Sequence, residues 1–216
     1  ADWQVDLSGL LNLDSEKVKS AGIVDRKEAI QVFAHVFSHP TKGTYLVDTG
    51  VARVLVEHPS HAGLSWILQQ GMPIHLMQIR QSTAEIIAAQ KSPLAGVFLT
   101  HLHIDHISGL PDIDHQVPIY MGRNEASHKA FMHAFVQGST DRLLEGHRLF
   151  EWQFQTDADA VNRSQTAGPK SENRTAENFE DIIDILGDQT AFAISVPGHT
   201  AGTTAYLLRT TKGPVL

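Results

Sequence analysis

Residues 100 to 106 read Thr-His-Leu-His-Ile-Asp-His, which places three histidines and one aspartate within six positions. Imidazole nitrogens and carboxylate oxygens are the ligands that divalent transition metals such as zinc take from proteins. The apolar run at 95–100, Ala-Gly-Val-Phe-Leu-Thr, comes directly before them and reads as a buried strand. Alternate side chains of a strand share a face, so His101 and His103 can leave its end on the same side. Asp105 and His106 follow in the turn, and Gly109 and Pro111 end the segment. Four such groups at one strand end can serve two ions. A lone histidine would be an ordinary solvated or core-bonded residue, but H-x-H-x-D-H after an apolar strand predicts a metal site.

The elements that must position this cluster alternate between strand and helix patterns. Residues 31–50 hold two β-rich runs around a Pro/Lys/Gly turn, the pattern of a hairpin. Ser82 with Glu85 three residues later forms a capping box, which starts a short helix that ends before Pro93. A strand is expected at 117–122, then a helix from about Asn124 to Val136, then a strand in Arg-Leu-Phe-Glu-Trp-Gln-Phe-Gln. Residues 157–178 are polar and contain Gly, Pro and Ser, so an exposed loop is expected there. The chain closes with a strand in Thr-Ala-Phe-Ala-Ile-Ser-Val-Pro-Gly and a hairpin cut short at Leu216. With no internal repeat, this is one α/β layered domain with mixed sheets over 1–216.

Composition removes several classes of function. The 216 residues carry 17 basic and 24 acidic side chains, a net charge of -7, which argues against a nucleic-acid or anionic-membrane partner. Without cysteine there are no disulfides and no thiolate metal sites. No apolar run reaches membrane-spanning length, and the first ten residues lack the basic and apolar regions of a signal peptide. A soluble protein is expected, in the cytoplasm first, or periplasmic or secreted if Ala1 follows a removed signal. The oligomeric state is not set by the sequence.

The H-x-H-x-D-H segment resembles the signature of the metallo-β-lactamase superfamily of metal-dependent hydrolases. Two further stretches carry the resemblance: Gly-Thr-Tyr-Leu-Val-Asp-Thr-Gly at 43–50, and Val-Pro-Gly-His-Thr-Ala-Gly at 196–202. It extends from about Val32 to Leu216, and it implies an αββα four-layer sandwich with the site at one edge between two sheets. It also implies that His101, His103 and His199 bind one ion and that Asp105 and His106 belong to a second. Zinc is the expected cofactor, as one or two ions, with manganese, iron or cobalt as alternatives. The family's bridging aspartate and last histidine have no counterpart in residues 200–216, which contain neither residue type. The fold is therefore expected to be C-terminally incomplete in this sequence, the working protein continuing past Leu216.

The chemistry implied is hydrolysis. Zinc lowers the pKa of a bound water to about 7, and a pair of ions can also polarise a substrate carbonyl. Asp105 is the candidate to orient the nucleophile and pass a proton to the leaving group. The expected substrate is a small molecule with an ester, lactone or related acyl bond. Alternatives are a glyoxalase II-like thioesterase, a β-lactamase, and, from another class, a metal-binding protein without catalysis; a nucleic-acid-processing enzyme ranks third.

Other residues carry weaker expectations. Asp48 either accepts hydrogen bonds from behind the ligands or is simply the first residue of a D-T-G turn. Thr200 and Gly202 shape the loop around His199. The segment from Val51 to Arg80 is either a pocket wall containing Trp66 or a surface excursion with that tryptophan buried. His58 and His61 within it suggest another metal or, by preference, ordinary surface residues. His128 and His133 are spaced poorly for one helix face and are read as non-ligands.

Overall fold

The computed structural model describes residues 1–128, 134–154 and 182–216. Polar-apolar alternation builds its first hairpin. In Asp2–Asp6 (β1) Trp3 and Val5 turn inward, and the strand pairs antiparallel with Lys27–Gln31 (β2). Between them lies Glu16–Ser20 (α1), whose first turn is capped by the Ser15 side chain. His35–His39 (β3) and Gly43–Val47 (β4) form the expected antiparallel hairpin.

The segment after β4 departs from expectation. It contains Arg53–Glu57 (α2) and Trp66–Gly71 (α3), and Leu55, Leu64, Leu68, Ile74 and Met77 from this stretch lie in the main apolar cluster. It is therefore part of the core rather than a surface excursion. Trp66, in turn, is 72% exposed. Ser65 caps α3 so that Leu68 is the residue facing inward and Trp66 opens the helix toward solvent. Thr83–Ala88 (α4) carries the expected capping box of Ser82 and Glu85.

Leu94–Phe98 (β5) runs parallel to β4, and Ile104–Ile107 (α5) follows it closely. Pro118–Met121 (β6) and Arg148–Glu151 (β7) extend the sheet in parallel, giving the order β3-β4-β5-β6-β7. Of the helix expected from about Asn124 to Val136, residues 123–127 form a turn, 129–133 lie outside the described residues, and Ala134–Leu144 (α6) is helical. The expected loop at 157–178 lies outside the described residues. Ile182–Asp184 (β8), Ala191–Ser195 (β9), Thr204–Thr210 (β10) and Gly213–Val215 (β11) form an antiparallel sheet ordered β11-β10-β9-β8.

Side-chain alternation on β5 divides the interior in two. Val97 and Leu99 join the cluster filled by α2 to α6 and the β1–β2 hairpin. Phe98 points the other way, into a cluster with Val47, Trp152, Phe154, Ala193 and Tyr206 that lies between the two sheets. Its ring is 5.2 to 5.9 Å from those of Tyr45, Tyr206, Trp152, Tyr120 and Phe37, so one buried phenylalanine organises the inter-sheet core. The layering is helices, mixed sheet, antiparallel sheet. Among the described residues no helix is long and apolar enough to cross a membrane.

Candidate metal centre

The site forms where the C-terminal end of β5 meets the loop before β10. β5 ends at Phe98, and the chain runs on through Leu99 and a bend at Thr100 to His101. Thr204 donates its N–H to the Thr100 carbonyl at 2.8 Å, joining the two sheets beside the histidines. Tyr206 strengthens the same junction: its hydroxyl donates to the Leu99 carbonyl at 2.9 Å and accepts the Trp152 indole N–H at 3.0 Å. Burial raises the Tyr206 pKa well above its ordinary value, so the phenol stays neutral and able to donate.

His101, His103 and His199 come together, each offering one ring nitrogen, and the three nitrogens lie within 4.8 Å of one another. His199 Nε2 is 2.9 Å from His103 Nδ1. His101 is held by Thr100, whose Oγ1 is 3.1 Å from its Nδ1. The Thr100 hydroxyl donates to Asp48 Oδ2 at 3.0 Å, so its oxygen accepts from His101 Nδ1. That arrangement leaves the lone pair of His101 on Nε2, which is buried and has no hydrogen-bond partner. Burial first, then the neighbouring imidazoles, lower the His101 pKa to about 2, so the ring is neutral at ordinary pH. A neutral buried imidazole with an unused lone pair fits a metal ligand.

His103 is the N-cap residue of α5, and Asp105 and His106 lie in that helix rather than in a plain turn. The His106 ring centroid is 4.0 Å from that of His101. Its Nδ1 donates to Asp48 Oδ2 at 2.7 Å, and its Nε2 faces Asp105 Oδ2 at 3.4 Å. Burial alone would lower the His106 pKa, but bonds to Asp105 and Asp48 outweigh it and raise the value to about 10. Burial would raise the Asp105 pKa, and the bond from His106 overrides it in the downward direction.

Asp48 is therefore more than a turn residue. Its backbone is left-handed, with φ 55°, and its Oδ1 accepts the Thr100 N–H at 2.9 Å. Behind it, Thr49 takes up Gly109 N–H and the His106 carbonyl, and Thr83 at the start of α4 donates to the Thr49 carbonyl at 2.5 Å. Thr83 in the first turn of α4 thus supports the loop that orients His106.

Thr200 and Gly202 shape the His199 loop. Thr200 N–H donates to Thr203 Oγ1 at 2.8 Å, and Gly202 N–H donates to Glu125 Oε2 at 2.7 Å. Gly122 and Gly202 meet backbone to backbone: a Cβ on Gly122 would lie 1.7 Å from the Gly202 carbonyl oxygen. Glycine is required there by close approach.

Beside the histidines lies a pocket of about 470 Å³, bordered by His103, Glu125, His128, Gln137, Thr140 and His199 among others. Trp66 does not border this pocket; it opens α3 toward solvent. His128, read as a non-ligand, borders the pocket, and His133 lies outside the described residues. His58 and His61 are exposed with ring centroids 5.4 Å apart, and among the described residues they join no set of three metal-capable groups. Glu125 was not legible in the sequence, since its partners lie 23, 75 and 77 residues away.

The sequence model of the metallo-beta-lactamase superfamily matches residues 29–216. The lactamase-like protein nscB of Trichophyton equinum is 32% identical over 116 residues, covering 49% of this chain and 31% of that relative. The lactamase-like protein aptB of Emericella nidulans is 32% identical over 114 residues, covering 48% of this chain and 32% of that relative. The chain thus spans about a third of the length of these curated relatives. Among solved structures, an N-acyl homoserine lactone hydrolase with N-hexanoyl-L-homoserine at its catalytic metal center superposes with a TM-score of 0.58. It shares 16% identity and is matched over 100% of this chain and 73% of its own. A probable metal-dependent hydrolase from Staphylococcus aureus gives a TM-score of 0.56 at 11% identity, over 99% of this chain and 68% of its own. Likeness at these identities is likeness of fold, and the family model carries the assignment: this chain belongs to the metallo-beta-lactamase superfamily.

Proposed function

We propose that the protein is a metal-dependent hydrolase of a small molecule, cleaving an ester, lactone or related acyl bond. The convergence of His101, His103 and His199 beside Asp105 and His106, at the edge of a pocket of about 470 Å³, carries this reading. In it the three histidines hold one divalent ion, and Asp105 with His106 contributes to a second. Zinc is the expected metal, and when bound it would supply a water acidic enough to attack near neutral pH.

The chain's own residues do the rest. Thr100 and Asp48 fix the ring orientation of His101 and His106 by holding their Nδ1 atoms. Asp105 takes the proton of the attacking water on a carboxylate oxygen and returns it to the leaving oxygen. No side-chain nucleophile is required. The wall formed by Leu102, Pro197, Gly198 and Ala201 gives an acyl substituent apolar and backbone surface to rest against. The superposing lactone hydrolase holds an acyl-homoserine product at its metal centre, which favours a lactone over the thioester and β-lactam alternatives.

Zinc-loaded protein tested on a panel of lactone, thioester, β-lactam and phosphotriester substrates checks the proposal. Turnover of a lactone or ester that is lost on chelation and restored by zinc is the expected result. Binding of zinc without turnover of any member would favour a metal-binding protein instead.

A further inference from the structure

Two loops from different sheets carry the three histidines, and one buried side chain ties them together. Glu125 lies in the turn after β6 and is only 7% exposed. Its Oε1 accepts the backbone N–H of Leu102, the residue between His101 and His103, at 2.9 Å. Its Oε2 accepts the N–H of Gly202 at 2.7 Å and the hydroxyl of Thr200, which follows His199, at 2.8 Å. A Cβ on Gly202 would lie 2.8 Å from the Glu125 Cβ, so the loop approaches this side chain as closely as backbone can.

We propose that Glu125 is a positioning residue whose carboxylate fixes the separation of the His101–His103 segment and the His199 loop. By doing so it sets the affinity of the three-histidine set for a divalent ion. The inference rests on reading that set as a metal site.

The contacts suit a carboxylate, whose two oxygens both accept. All three partners donate, and an ionised carboxylate only accepts. Hydrogen bonds to a charged acceptor are roughly twice as strong as neutral ones, which offsets the cost of burying the charge. Glutamine has the same shape, but its amide would direct an N–H at the N–H of either Leu102 or Gly202. One loop would then be released. Aspartate keeps the charge but is one methylene shorter and cannot reach both loops.

A buried carboxylate with three donors also stabilises a fold, so thermal stability alone does not separate positioning from packing. Cobalt(II) affinity does. Metal-free wild type, Glu125→Gln, Glu125→Asp and Thr200→Ala are titrated with cobalt(II) against a chelator and followed by visible absorption, with folding checked by circular dichroism. Loss of a group that orients metal ligands typically costs about 10–100-fold in metal affinity. That loss is expected for both Glu125 variants, with a smaller loss in the same direction for Thr200→Ala. A folded Glu125→Gln protein with wild-type affinity overturns the proposal, even if its melting temperature has dropped. Wild-type affinity in Glu125→Asp also overturns it, because charge rather than reach would then matter. If the Glu125 variants do not fold, Thr200→Ala decides, and unchanged affinity there overturns the proposal. Wild-type protein that binds no cobalt would remove the underlying metal-site reading, and that result appears before any variant is compared.

Discussion

His106 Nδ1 lies 2.7 Å from Asp48 Oδ2, although 58 residues separate the two in the chain. The contact holds the Nδ1–H of His106 and turns Nε2 toward Asp105. It also joins the end of β4 to the helix that follows β5. Asp48 reaches this place from a left-handed backbone that asparagine tolerates as well as aspartate does.

Asp48→Asn should therefore fold while losing the charge behind His106. We expect about a 10–100-fold loss of hydrolytic activity or metal affinity, falling mainly on the ion that Asp105 and His106 serve. Metal stoichiometry at fixed free zinc, measured beside turnover, checks this. Wild-type values for both would show that Asp48 is only a turn residue.

Asp105→Asn preserves size and removes the carboxylate that faces His106 Nε2. General acid–base assistance is typically worth about 10²–10⁴ in rate, so a drop of at least that size is expected. Full activity at unchanged metal content would rule out the proton-transfer role.

Tyr206→Phe tests the junction between the sheets. Removing the hydroxyl leaves the Leu99 carbonyl and the Trp152 indole N–H without their buried partner. An unsatisfied buried group costs about 1–3 kcal/mol, and urea unfolding should show a loss in that range. A change below about 0.5 kcal/mol would mean that the neighbours repair the bonds.

Gly122→Ala should be more severe. The new Cβ would meet the backbone oxygen of Gly202, which has no flexible side chain to move aside. Overpacking typically costs about 1–3 kcal/mol, and a clash with backbone belongs at or above the upper end; urea unfolding should show it, and it would also displace the His199 loop.

The capping box of α4 predicts a pH effect. Backbone bonding from Ser82 first, then Arg53, lowers the Glu85 pKa from 4.5 to about 2. A carboxylate depressed in the folded state contributes stability above its unfolded pKa and loses it as pH falls through the folded one. The stability difference between wild type and Glu85→Gln should thus be constant above pH 4.5 and fade as pH approaches 2. A difference that persists unchanged to pH 2 would contradict the assignment.

The parts legible in the sequence were those whose signal is local. H-x-H-x-D-H sits directly after its strand, the Ser82–Glu85 capping box spans one turn, and the hairpin at 31–50 announces its own turn. The alternation in Asp-Trp-Gln-Val-Asp has the period of a strand, but no turn signal follows it, because the partner of β1 lies some 25 residues on, across α1. Trp66 shows the limit of residue type: a large aromatic ring suggests burial, yet the cap at Ser65 sets which helix face turns inward. Glu125 shows the other limit. A single glutamate in a polar turn has no local mark, and its meaning comes from two loops brought to it by the packing of the sheets.

Zinc added to crystals of the protein can be located by anomalous scattering. If the three histidines form a metal site, a zinc peak lies in contact with His101 Nε2, His103 Nδ1 and His199 Nε2, at the usual distance of about 2.0–2.1 Å from each. Saturating zinc with no peak among these three nitrogens, or a peak only at the exposed His58 and His61 pair, would contradict it.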